Sequence, residues 1–160
     1  MLRYVGLLAL TLWVGGLIVL GAIVAPSVFE VLAAKHIAGD RVVAGAVFGE
    51  ILRRYHLLSL GCGAVLLGML VLRGVMGPRP IMFAARVAVA FLMLAATAYS
   101  GMIVVPRIQQ VQASAVVAPS TLPENDPRRV EFQRLHTIST SIQAVPILGA
   151  LFLLFRELKD

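Results

Sequence analysis

Charge is scarce in this sequence. Only 14% of its 160 residues are Asp, Glu, Lys or Arg, about half the share that a soluble domain carries. With 59% hydrophobic residues and a mean hydropathy of +0.92, the chain lies outside the soluble globular class. Cysteine is scarcer still. Cys62 stands alone, which excludes an internal disulfide, and its place inside an apolar run makes it a small packing residue. Acidic residues are missing from the long apolar runs, which argues against an ion-coupled pump. Absent too are a Ser-His-Asp or Cys-His grouping, a Gly-rich phosphate loop and an HExxH pair, so the chain reads as non-enzymatic. The net charge of +6 does not imply nucleic acid either. Its arginines flank apolar runs instead of forming a basic stripe with aromatics, and such flanking charge anchors membrane helices.

What is present is a series of apolar runs. Tyr4 to Ala25 is free of charge, longer than a signal-peptide core and followed by Pro26, so it reads as a retained first span. Leu57 to Leu72 is the second span, 16 residues long, short for a crossing and expected to borrow length from Tyr55 and the flanking arginines. Val87 to Val105 and Thr137 to Phe155 are the third and fourth, the last interrupted by Pro146. Gly77-Pro78-Arg79-Pro80 marks a tight turn between spans two and three. The other connections read as helix for most of their length. Ser27 to His36 prolongs span one, Gly39 stops it, and Asp40 is expected to cap a helix that runs through Arg54 into span two. Asp126-Pro127 predicts a second cap with proline at the first helical position, and only Ala118 to Asn125 looks irregular. The fold expected is an all-α membrane protein, a single domain over 1–160, with four transmembrane helices in a bundle and helical extensions on one side.

Displacing the chain against itself by 80 residues aligns Gly21, Ile23, Val24 and Pro26 with Gly101, Ile103, Val104 and Pro106. The same offset aligns Arg54, His56 and Ser59 with Arg134, His136 and Ser139. Pairs of Pro, Arg, His and Ser are unlikely to coincide by chance in so apolar a sequence. They predict two tandem helical hairpins, unit one over 1–75 and unit two over 81–160. Two spans per unit bring both units into the bilayer from the same face, related by an axis along the membrane normal. Pro26, Pro106, His56 and His136 then gather at one end, here called side B, and the opposite end is side A. Each proline is expected to kink its helix and free a carbonyl one turn earlier.

Trp13-Val14-Gly15-Gly16, Val24-Ala25-Pro26-x-x-Phe29, Phe48-Gly49 and Phe132-x-x-Leu135-His136-x-x-Ser139 together resemble domain of unknown function 4149, the family of transmembrane-protein-205-like proteins. Members usually carry Asn four residues after the serine, where this chain has the longer amide Gln143. The resemblance implies a four-span membrane protein and no established biochemical activity. Trp13-x-Gly15-Gly16 alone is also similar to the membrane domain of copper-resistance proteins.

His56 and His136 are the candidate cofactor-binding residues. Imidazoles on symmetry-related helices have the chemistry to hold a haem, a metal ion or a chlorophyll magnesium. The competing reading has each ring hydrogen-bonded to Ser59, Ser139 or a backbone carbonyl, and no third Cys, His or Asp completes a closed metal site. Glu50 with Arg53 and Arg54, and Glu131 with Arg134, have the spacing of helix-surface ion pairs. Gly15, Gly16, Gly21, Gly61, Gly63, Gly68 and Gly101 mark faces for close helix approach, and Thr140, Ser141 and Gln143 are expected to face other helices. Side A carries Arg3, Arg73, Arg79, Arg86, Arg156 and Lys159 in short segments, which favours cytoplasmic N- and C-termini in a bacterial inner membrane. The function expected is that of a scaffold or accessory subunit, with the lipid bilayer and other transmembrane helices as partners, in a homo-oligomer or a larger complex. A cofactor-binding protein and a small transporter are the alternatives.

Overall fold

A computed structural model of the protein describes its residues other than 36–38, 78, 116 and 160; His36 and Pro78 therefore lie outside the described residues. Among the described residues there is no strand. Four helices are long and apolar enough to cross a membrane: α1 (Leu2–Ala34), α2 (Asp40–Met76), α3 (Phe83–Ala113) and α4 (Pro127–Lys159). The shortest has 31 residues, which at 1.5 Å per residue exceeds the roughly 30 Å of a hydrocarbon core. The apolar window Leu57–Leu72 thus borrows length from its flanks as expected. It is the middle of a 37-residue helix that supplies the missing length from Arg53, Arg54 and Tyr55 on one side and Arg73 on the other.

The helix boundaries follow local chemistry. Gly39 adopts φ +76°, which glycine reaches without a Cβ penalty, and α2 begins at Asp40, one residue earlier than a cap at Asp40 implies. The Asp40 carboxylate accepts the Arg41 N–H at 2.6 Å. Asp126 caps α4 as expected, accepting the Arg128 N–H at 2.9 Å ahead of Pro127. The irregular stretch before it contains one 3₁₀ turn, Pro119–Thr121.

Pro26 and Pro106 do not break their helices. The turn before each widens into a π-helical segment, Leu20–Val24 in α1 and Ser100–Val104 in α3. A proline lacks an N–H and its ring crowds the carbonyl four residues back. Shifting to five-residue spacing relieves that crowding: the Ala25 N–H bonds the Leu20 carbonyl, and the Val105 N–H bonds that of Ser100. The two distortions stand at the 80-residue offset seen in the sequence. Pro146 leaves α4 continuous.

Each helix packs against the next in sequence, and α4 also contacts α1. The apolar core lies between them around Leu10, Trp13, Leu66, Ala90, Met93 and Leu153. Close approach depends on glycine at Gly63, where a Cβ would sit 2.6 Å from Leu94 and 3.0 Å from the Trp13 ring. Gly16 (against Tyr55) and Gly101 (against His56) are equally tight. Gly15, Gly21, Gly61 and Gly68 have nothing within 4 Å, so the close approach expected of them is not found. Leu8, Leu12, Ile18, Phe91, Leu148 and Leu151 point outward. Such a surface needs lipid as its solvent, and the chain is an integral membrane protein.

Candidate functional site

The two histidines occupy different surroundings. His56 is buried, and its Nδ1–H donates to the Leu52 carbonyl at 2.8 Å, one of the bonds foreseen for it. One edge of the ring packs against Gly101, whose added Cβ would lie 2.7 Å from His56 Cδ2. Ser59 donates to the Tyr55 carbonyl at 2.9 Å, and the Tyr55 hydroxyl donates to the Trp13 carbonyl. Together with Ser100 and Gln143 these residues line a crevice of about 20 Å³, the size of one water.

His136 is exposed and stacks on Phe132, ring centroids 6.1 Å apart and 12° from parallel. It faces a cleft of about 370 Å³ on side B, bounded by all four helices. Leu17, Leu20, Phe29, Phe48, Leu52 and Ile108 form apolar walls. Gln109, Gln112, Ser139, Thr140 and Gln143 add amides and hydroxyls. Among the described residues, the side chains of Gln109, Gln112, Gln143 and His136 make no hydrogen bond, and no charged group lines the cleft. Thr140 and Gln143 thus line this cleft, whereas Ser141 does not.

The 80-residue offset relates the two environments. Gly101 and His56 are in contact; their counterparts Gly21 and His136 face each other across the open cleft. One glycine–histidine pair is closed and the other is not. Leu17 and Gln143 line both the crevice and the cleft, but the two imidazoles line different spaces. Residues that carry the family resemblance converge here: Ala25, Phe29, Phe48, Gly49, Phe132, His136 and Ser139 all line the cleft, beside Gln143, which stands where the family usually has Asn. Gln109 and Gln112 were not singled out in the sequence, although their three-residue spacing puts both amides on one face of α3. Gly45 and Gly49 of α2 make room for them, since a Cβ there would meet Gln112 at 2.9 Å and Gln109 at 3.1 Å.

Side A holds a second cluster that the sequence did not disclose. Glu157 of α4 is buried and receives arginines from the three other helices. Arg73 Nη1 and Arg86 Nη1 approach its Oε1 at 2.7 and 3.0 Å, and Arg3 Nε approaches Oε2 at 3.0 Å. Arg86 is fully buried and also donates to the Arg156 carbonyl at 3.2 Å. Residues read singly as anchors therefore form one network. On side B, Glu50 pairs with Arg53 and Arg54 as their spacing predicts. Glu131 instead reaches Arg107 of α3 at 3.3 Å, so the expected pair with Arg134 gives way to a contact between helices.

Among the described residues, no group of three His, Cys, Asp or Glu side chains stands at metal-binding spacing. No curated protein and no solved structure matches the chain. The profile of a domain of unknown function, DUF4149, matches residues 8–117, more than half of the sequence. That stretch contains Trp13, Gly15, Gly16, Pro26, Phe48, Gly49 and Pro106 and ends before Phe132 and His136. The chain belongs to the DUF4149 family, a domain of unknown function.

Proposed function

We propose that the protein is a non-enzymatic accessory protein of the bilayer that holds a neutral, amphipathic small molecule in the side B cleft. The observation that carries this reading is the convergence of family-motif residues on an apolar-walled space that no Asp, Glu, Lys or Arg lines and whose glutamine side chains have no hydrogen-bond partner among the described residues. A cleft of about 370 Å³ falls within the range of small-molecule sites, and half-buried amides favour a guest with carbonyl or hydroxyl groups. Lipid and other transmembrane helices cover the outward apolar faces. Both termini face the cytoplasm of a bacterial inner membrane, because side A packs its basic residues into short segments. The matched motifs and matched π turns support descent from a duplicated hairpin.

The test is chemical. Purified wild-type protein and a Gly21→Leu variant are extracted with organic solvent, and the extracts are compared by mass spectrometry. Gly21 lines the cleft with nothing within 4 Å of its missing Cβ, so a leucine there adds apolar bulk to the lining. A neutral compound enriched at near-equal stoichiometry in the wild type and depleted in the variant is the expected result. Identical extracts would sink the proposal.

The alternative, a haem, metal ion or chlorophyll on His56 and His136, requires both rings to turn to one ligand from the two different spaces they line. Visible absorption and metal content of the wild type, His56→Ala and His136→Ala proteins decide it. A pigment lost in both variants would favour that reading over ours.

A further inference from the structure

We propose that Arg3 and Arg73 on side A form a seat for the phosphodiester of an anionic phospholipid. The argument starts from charge. Side A carries six Lys and Arg residues against Glu157 and Asp160, so its cations outnumber its anions even with every acidic side chain counted. Arg3 and Arg73 both reach Glu157, yet their side chains stay 44% and 21% exposed, at the outer edge of the network. A guanidinium has five N–H donors, and one carboxylate cannot saturate several of them. Cationic groups held this way next to hydrocarbon attract an anion that the bilayer itself supplies.

Placement chooses the lipid over a free anion. Below the two arginines runs a shallow groove between α1, α2 and α4, lined by Leu7, Leu10, Leu66, Met69 and Leu153. Its volume of about 20 Å³ is too small to swallow a ligand, and Leu10, Leu66 and Leu153 are buried in it, but the half-buried Leu7 and Met69 offer an acyl chain apolar surface to lie against. A phosphate bearing apolar chains therefore satisfies both halves of the site, and inorganic phosphate satisfies only one. Tyr4 is 79% exposed on the first turn of α1, where an aromatic ring suits the headgroup boundary.

Purified full-length protein in mild detergent is titrated with phosphatidylglycerol, phosphatidylcholine or inorganic phosphate, while thermal unfolding is followed and bound lipids are counted by native mass spectrometry. Phosphatidylglycerol is expected to raise the melting temperature saturably, with one retained molecule, while the other two additives do neither. Arg3→Gln and Arg73→Gln each weaken the apparent affinity about tenfold, the scale of one lost charge-assisted contact. Arg79→Gln and Lys159→Gln, which remove equal charge outside the network, leave it unchanged. Arg3 is the more exposed of the pair, so Arg3→Gln remains informative if Arg73→Gln does not fold. Equal stabilisation by phosphatidylcholine, equal stabilisation by inorganic phosphate, or equal loss in the control variants would overturn the proposal.

Discussion

Replacing Glu157 by Gln keeps the shape of the side chain and removes the charge that gathers three arginines. Arg73 and Arg86 each place a guanidinium nitrogen within 3.0 Å of the same carboxylate oxygen, and Arg86 has no exposed surface. Without the carboxylate the fully buried Arg86 loses its contact with Glu157, and Arg73 and Arg86 are left close together without the negative charge between them. Breaking a buried ion pair by removing one partner costs about 3–5 kcal/mol. For a chain of this size that is a fall of about 6–20 °C in melting temperature. Arg3, nearly half exposed, contributes little to the figure because solvent screens it. The assay is thermal unfolding in a fixed detergent for Glu157→Gln, Arg86→Met and the double variant. Both single changes remove the same Arg86–Glu157 contact, so the double variant should lose clearly less than the two singles added. Strict additivity, or a Glu157→Gln protein that melts with the wild type, would refute the reasoning.

Two further outcomes follow from the geometry. Gly101→Ala is expected to destabilise by about 1–3 kcal/mol, the cost of overpacking a filled site, since its Cβ would fall 2.7 Å from the His56 ring. Gly21→Ala, at the offset-related position with free space around it, should be neutral or slightly stabilising in the same melts. At the start of α4, the Arg128 side chain and backbone N–H hold the Asp126 carboxyl below its ordinary range. A lowered folded-state pKa gives a stabilising contribution that is full above about pH 4 and is lost as the pH falls further, through the folded value. The stability difference between wild type and Asp126→Asn should therefore be flat at neutral pH and shrink in acid. A difference that grows in acid contradicts the assignment.

The helices were legible because hydrophobic runs, capping residues and prolines act locally. Asp126-Pro127 announces α4 with no help from the rest of the chain, and the matched Gly-x-Ile-Val-x-Pro segments mark where both π turns form. The cleft was not legible. The offset made His56 and His136 look equivalent, and only the rotational setting of the helices closes one ring onto Gly101 and leaves the other facing Gly21 across open space. The same holds for Glu157. Arginines flanking apolar runs read as anchors, and their convergence depends on four helix rotations that no short spacing encodes. Glu131 shows the rule from the other side: Arg134 lies three residues away, but a cation on the neighbouring helix takes the carboxylate.

A π turn accommodates one residue beyond the α-helical count, so everything after it is rotated by about 100° relative to an unbroken helix. Phe29 follows the turn in α1, while Gln109 and Gln112 follow the turn in α3, and all three face the cleft in that rotated frame. The widened turns thus act as registers for the polar and aromatic walls downstream. Deleting Ala22, Ile23 or Val24, or one residue within Ser100–Val104, would swing a whole wall away while every residue that lines the cleft kept its identity. A single-codon loss at either turn is therefore the smallest genetic change that dismantles this cavity without altering its chemistry.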